Sequence, residues 1–185
     1  MRSTYKLYTK MFPNNYKTSM TEYLMKQNRK GLVGAELGVR YGDNAISILR
    51  HLDMEKLYLI DHYDKYVENG QLLDYGYAYP IAVHKLRKYK NNIVFIRKDV
   101  NDAVADIVDS LDFVYIDVSG EYDTVYNLLC NYYPLVKPGG IIGGKRFNSN
   151  WFDLCRGILK FTDENDFDLI GCNSGDWRMV KKINY

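Results

Sequence analysis

The stretch GAELGVRYGDNAISIL, residues 34–49, constrains this chain more than any other. It starts apolar, passes through Glu36-x-Gly38-x-x-x-Gly42, and then takes up helical spacing, with Ala45, Ile48, Leu49 and Leu52 on one side. The pattern predicts a buried strand, a glycine turn and a helix. Glycines at such a turn let the main chain approach a ligand that a Cβ would strike, and the first amides of the helix face the same point. With Glu36 beside them, amides and one carboxylate are offered to a charged, nucleotide-like ligand. Taken alone, the same residues also fit a plain strand–turn–helix of any α/β protein.

The alternation continues downstream. Apolar strands are expected at 32–38, 56–61, 92–99, 111–117 and 138–144, with helices at 43–52, 81–89, 101–110, 122–133 and 151–161. A further helix is expected at 17–29, opening near Thr18 or Ser19. Strands separated by helices imply a parallel sheet covered on both faces. Two closing strands, 167–172 and 176–182, flank Asn173-Ser174-Gly175 and leave no room for a crossover, so they form an antiparallel hairpin. The expected fold is α/β: a Rossmann-like, doubly wound, mostly parallel seven-stranded sheet with a C-terminal antiparallel hairpin. Residues 1–30 read as an N-terminal arm and helix, and 31–185 as the single domain. A polar insert at 62–79, with Tyr63, Tyr66, Tyr75, Tyr77 and Tyr79, is expected either as a lid over the site or as an extra surface helix.

Composition narrows the partners. The net charge of +2 is too small to imply nucleic acid or an anionic membrane by itself. No apolar run is long enough for a membrane span, and the polar start of the chain is not a secretory signal. Cys130, Cys155 and Cys172 are widely spaced, odd in number and without metal spacing, which fits a reducing, cytoplasmic setting. The 18 tyrosines can serve core, interface or a stacking wall for a flat ligand.

Acids fall at the strand ends. Asp61 ends the second strand 25 residues after Glu36, where an acid accepts hydrogen bonds from ribose hydroxyls. Asp99 follows the third strand, as either a ligand contact or a helix cap. Asp117 ends the fourth. A dinucleotide dehydrogenase would place a glycine where Glu36 stands, and a carboxylate there would repel a pyrophosphate, whereas it suits a cofactor carrying an ammonium and a sulfonium.

These residues, together with LYLID (57–61), FVYID (113–117), YPLVKPGGIIGG (133–144) and DWRMVKK (176–182), make the chain resemble class I S-adenosylmethionine-dependent methyltransferases. It is most similar to methyltransferase family 24, which includes small-molecule and sugar O-methyltransferases, over about residues 32–182. The resemblance implies S-adenosyl-L-methionine as cofactor. It implies Glu36, Gly38 and Gly42 near the methionine part, Asp61 on the ribose with His62 beside it, Asp99 and Val100 flanking the adenine, and Asp117 near the sulfonium and the substrate.

The chain departs from that family at two places. The family carries Gly-Asp-His after the fourth-strand Asp and Gly-His-Asp after the fifth strand; here stand Val118-Ser119-Gly120 and Gly144-Lys145-Arg146. The His and Asp that could bind a metal or act as base are therefore missing, and Asp117 with Glu121 or Asp123 supplies too few oxygens, so no metal is expected. Asp117 is the candidate base, with Lys145 an option only if burial makes its amine neutral. Lys145 and Arg146 either hold a phosphate or carboxylate of the substrate or are solvated loop residues. The expected partner is a small, acidic, hydroxylated molecule, with a cofactor-binding protein lacking transferase activity as the other reading. Nucleic acid is disfavoured, because Asp117-Val118-Ser119-Gly120 is not the Pro-Pro-aromatic type used on flipped bases. A homo-oligomer stays open, since the Tyr-rich arm can pair two subunits or cover the site.

Overall fold

The computed structural model describes residues 17–68, 71–118, 122–171 and 175–183. The arm at 1–16, Ser119-Gly120-Glu121, Cys172 and the Asn173-Ser174 part of the closing turn lie outside the described residues.

Helix α1 spans Ser19–Gln27, and Thr18 caps it by accepting a hydrogen bond from the Thr21 amide at 3.2 Å. Strand β1 (Leu32–Leu37) leads through the glycine turn into α2 (Asp43–His51), and then β2 (Met54–Ile60) follows. A short hairpin, β3 (Lys65–Glu68) and β4 (Gln71–Asp74), precedes α3 (Ala78–Leu86). The chain continues through β5 (Ile93–Ile96), β6 (Leu111–Ile116), α4 (Tyr122–Tyr132) and β7 (Val136–Gly144). Helix α5 (Phe152–Asn165), β8 (Ile170–Gly171) and β9 (Trp177–Val180) complete it.

The main sheet has the order β5-β2-β1-β6-β7-β9-β8. Its first five strands are parallel, and β9 runs antiparallel to both β7 and β8. The expected doubly wound sheet and its antiparallel end are therefore present. The chain winds outward from β1 to β5 and returns to β6 beside β1, so strand order reverses between β1 and β6. Crevices at the carboxyl ends of strands open at such a reversal.

Alternation in β1 divides the core. Val33, Ala35 and Leu37 face one apolar cluster, closed by Val125, Leu128 and Leu129 of α4 and Leu154, Ile158 and Phe161 of α5. Leu32 joins the other cluster, with Ile48 of α2, Ala82 and Leu86 of α3, and Met20 and Leu24 of α1. Every residue of β1 and of β6 is buried, as expected for a parallel sheet covered on both sides. Among the described residues no helix is long and apolar enough to cross a membrane.

Several local expectations need correction. The insert after β2 is not an extra helix: it holds the β3–β4 hairpin, outside the main sheet. Helix α3 opens at Ala78, earlier than the expected 81, because Pro80 lies in the first turn, where a missing N–H costs nothing. The helix expected at 101–110 shrinks to one 3₁₀ turn, Ala103–Asp106. Strand β7 opens at Val136, ahead of Pro138, and α5 runs on to Asn165. The first closing strand is reduced to Ile170–Gly171.

Candidate active site

Strand alternation decides where Glu36 goes. It shares the face of Leu32, and in register it stands between Leu59 of β2 and Tyr115 of β6. The side chain is therefore driven into the sheet under α2, and Glu36 is 1% exposed. Its Oε2 makes no hydrogen bond among the described residues. Burial, and then the charge of Asp117, push the Glu36 carboxyl up to about 8; Lys145 and Asn44 pull it the other way. At neutral pH the group is mostly protonated.

The glycine turn is shaped by the protein's own backbone. Gly38 has φ +88°, and a Cβ there would lie 2.4 Å from the carbonyl oxygen of Asp117. Gly42, at φ +72°, is the left-handed residue before α2, and a Cβ there would meet Leu86 Cδ1 at 3.2 Å. The sequence suggests glycines that spare a ligand; the first atoms a side chain would strike are those of β6's end and α3.

Asp61 follows β2 and faces this turn. Its Oδ2 accepts from the Arg40 amide at 2.8 Å and its Oδ1 from the Tyr63 amide at 2.9 Å. Both oxygens are fixed, and each keeps a lone pair for a further donor. His62 Nδ1 accepts from the Asp64 amide at 2.9 Å, so a neutral ring carries its proton on Nε2. Asp102, not Asp99, directly precedes the 3₁₀ turn, and Asp99 serves the loop ahead of it. Its Oδ1 accepts from the Asn101 amide at 2.9 Å and so stabilises the turn before the 3₁₀ segment, yet Asp99 also lines the cavity described below. The neighbouring Val100 carbonyl accepts from the buried Tyr132 hydroxyl at 2.6 Å.

At the ends of β6 and β7, Asp117 meets two cations. Lys145 Nζ donates to Asp117 Oδ2 at 2.9 Å, and Arg146 Nη2 stands 3.7 Å from Asp117 Oδ1. An ion pair of this kind suits a charged ammonium, not the neutral amine a lysine base would need. Arg146 has a left-handed backbone, φ +70°, and its guanidinium lies 4.7 Å from the centre of the Trp151 ring. Arg146 Nη1 is buried without a hydrogen-bond partner among the described residues.

A cavity of about 310 Å³ joins these parts. Of the residues expected at the site, Gly38, Asp61, His62, Asp99, Val100, Asp117 and Arg146 line it. Glu36, Gly42 and Lys145 are not among its lining residues; Glu36 is buried within the sheet and Lys145 is paired with Asp117. Arg40, Val118 and Thr124 also line the cavity; Arg40 and Val118 fall inside segments singled out in the sequence, and Thr124 does not. Tyr75 of the insert completes the lining. Arg40 is held against it, with Cζ 4.5 Å from the Tyr75 ring centre and Nη2 donating to the Tyr75 hydroxyl at 3.0 Å. Among the described residues no group of three or more His, Cys, Asp or Glu converges as metal ligands would.

A doubly wound sheet, a glycine turn after β1 and acids at successive strand ends around one cavity define a protein that binds a nucleotide-like cofactor. The Methyltransf_24 family, described as a methyltransferase domain, matches residues 35–144, and this chain belongs to that family. No curated relative matches the sequence. Among solved structures, a candidate rRNA methylase from Clostridium thermocellum is similar, with 16% identity, 91% of this chain and 98% of that one covered, and a TM-score of 0.67. The O-methyltransferase NovP is similar with 18% identity, 88% and 76% coverage and a TM-score of 0.66. A candidate methyltransferase from Streptococcus mutans, solved in complex with SAH (S-adenosylhomocysteine), gives 12% identity, 91% and 99% coverage and a TM-score of 0.67. At these identities the likeness is one of fold.

Proposed function

We propose that this chain is an S-adenosylmethionine-dependent methyltransferase that transfers a methyl group to an oxygen of a small, acidic, hydroxylated molecule, without a metal ion. The observation that carries the reading is the convergence of Asp61, Asp99 and Asp117 on one cavity beside the glycine turn. The residues fit the cofactor. Glu36, a buried carboxyl with an orphaned oxygen, lies behind the turn, and a cation bound at the turn would favour its ionised form. When bound, the cofactor supplies a methyl group on a positively charged sulfur. Asp61, pinned by two amides, takes ribose hydroxyls. Asp99 and Val100 border the adenine, and His62 stands beside the ribose. Asp117, at the switch between β1 and β6, borders the reacting centre, and Arg146 with Lys145 gives the acceptor end its positive charge. Much of the acceleration then comes from holding nucleophile, methyl and sulfur in line.

The test is calorimetric titration with S-adenosylmethionine and S-adenosylhomocysteine, with NAD as control. Binding that is lost in Asp61→Ala is expected; absence of binding by the intact protein would end the methyltransferase reading. Activity on a found acceptor is expected to survive EDTA, and loss that added divalent metal restores would overturn metal-free transfer.

One observation favours a second reading, a cofactor-binding protein without transferase activity. Asp117, the candidate base, is engaged by Lys145 and faced by Arg146. Tight binding of S-adenosylhomocysteine with no methyl incorporation across acceptors would support it.

A further inference from the structure

Beneath the glycine turn, three elements bring polar side chains together inside an apolar face of the sheet. Glu36 comes from β1, Asn44 from the first turn of α2 and Tyr63 from the segment after β2; they are 1%, 5% and 1% exposed. Glu36 Oε2, both polar atoms of the Asn44 amide and the Tyr63 hydroxyl make no hydrogen bond among the described residues. Orphaned polar atoms at this depth are costly. The three groups also act on one another: Asn44 draws Glu36 toward ionisation, and the charge of Glu36 is felt at the Tyr63 hydroxyl. Asn44 Nδ2 and the Tyr63 hydroxyl are donors. An ionised Glu36 is the acceptor that both lack.

The cluster is enclosed, so a ligand reaches it by charge and not by contact. Asp117 lines the cavity, and of all charges acting on Glu36 its own is the largest. Asp61 lines the cavity too, and it holds the Tyr63 amide at 2.9 Å in a left-handed backbone of φ +55°. The other groups around Glu36 are fixed parts of the protein. Lys145 of the β7 end favours the carboxylate, and Asp43 of α2, paired with Lys85 of α3, opposes it. Tyr115 of β6 stands beside Glu36 in register, and Arg97 after β5 acts on Tyr63. A positive charge placed beside Asp117 offsets what Asp117 does to Glu36, and charges within an enclosed site are weakly screened.

We propose that Glu36 is a specificity-determining residue that never touches the cofactor: it gives its proton to solvent when a sulfonium occupies the cavity, and Asn44 and Tyr63 then donate to its carboxylate. The inference rests on the methyltransferase reading above. In this step the carboxyl O–H bond breaks, the electron pair stays on the oxygen and the proton ends on the buffer; no other covalent bond changes. Once the methyl group is gone the sulfur is neutral. Glu36 takes a proton back, and the two donors lose their acceptor. The cluster therefore favours the charged cofactor over its neutral product, S-adenosylhomocysteine.

The experiment is calorimetry on the full chain at pH 7 in phosphate, HEPES and Tris. The ionisation enthalpies of these buffers differ, so the dependence of the heat on buffer counts the protons released. The amine of the ligand can add to the count, so the quantity read is the difference between wild type and Glu36→Gln. A carboxyl that titrates near 8 is about nine-tenths protonated at pH 7. The expected difference is about half a proton or more for S-adenosylmethionine and less than about half of that for S-adenosylhomocysteine. Asn44→Ala and Tyr63→Phe are each expected to lower the count. Between pH 6 and pH 8 the preference for S-adenosylmethionine is expected to widen by about threefold or more in wild type relative to Glu36→Gln. Infrared difference spectra of the wild type alone, bound minus free, are expected to lose a protonated-carboxyl band with S-adenosylmethionine and to keep more of it with S-adenosylhomocysteine. Equal counts in wild type and variant, equal counts for the two ligands, or an unchanged carboxyl band would each overturn the inference. Failure of the intact protein to bind either ligand would instead overturn the methyltransferase reading.

Discussion

Glu36 shows how one residue can couple folding to pH. Its neighbours on the same face of β1 are apolar, and burial holds its carboxyl up to about 8 against an ordinary value of 4.5. Because the folded value is raised, the native state binds a proton that the unfolded chain has released. The stability that Glu36 contributes is fully present below pH 4.5 and is lost as pH rises toward about 8. Glu36→Gln removes this dependence. Its denaturant midpoint is expected to stay near wild type at pH 5 and to exceed it increasingly toward about pH 8; a constant gap between the two proteins would contradict the assignment. Gly38 is the opposite case, a residue defined by what it lacks. With φ +88° and the Asp117 carbonyl 2.4 Å from any added Cβ, Gly38→Ala is expected to cost at least about 2 kcal/mol in equilibrium unfolding. The spacing of Glu36, Gly38, Gly42 and Asp61 was legible in the sequence because turns and strand ends leave local signatures. Thr124 was not, because no turn or strand-end signature marks it, although folding brings it to the cavity that Asp61 and Asp99 line; Arg40 lies inside the glycine turn, where nothing in its residue type set it apart.

At the scale of elements, the cavity is assembled by contacts between segments distant in sequence. Helix α4 reaches the β5–β6 connection through the Tyr132 hydroxyl, which donates to the Val100 carbonyl at 2.6 Å inside the core. Tyr132→Phe leaves that carbonyl unsatisfied. The expected cost is about 1–2 kcal/mol in thermal or denaturant unfolding, with weaker binding of S-adenosylhomocysteine because Val100 lines the site. Unchanged stability and affinity would show that the loop is held by other means. Periodicity located every long helix among the described residues, since each buries one stripe on the sheet. It failed where length is short or tertiary pairing decides. The insert's strands pair only with each other, Lys65 opposite Asp74, a register no apolar pattern specifies. Strand β8 is held to two residues beside β9, so the apolar FDLIGC run overstates it.

For the whole molecule, the parallel character of the sheet follows from alternating strands and helices, and the sequence carried it; the order of the strands it did not carry. What ties the middle of the sheet together was hidden. Asp112, 2% exposed on β6, accepts from the Val33 amide of β1 at 2.8 Å and from Lys137 of β7 at 2.9 Å, and also pairs with Arg29 beyond α1. One buried carboxylate thus fastens two neighbouring strands and the lead-in helix. Asp112→Ala is expected to lower global stability by about 2–3 kcal/mol, at the modest end because both cations keep access to water. A smaller loss in chemical denaturation would mean that the strands hold their register without it. The β3–β4 hairpin has the contrary relation to the frame: it joins none of the seven strands of the main sheet, yet it is followed by Tyr75, which faces the cavity. Segments with that placement can be exchanged without redrawing the topology. Over evolutionary time, or in a combinatorial library, the chain between Asp64 and Ala78 is therefore where one wall of this cavity can be varied while the main sheet and its strand ends are inherited intact.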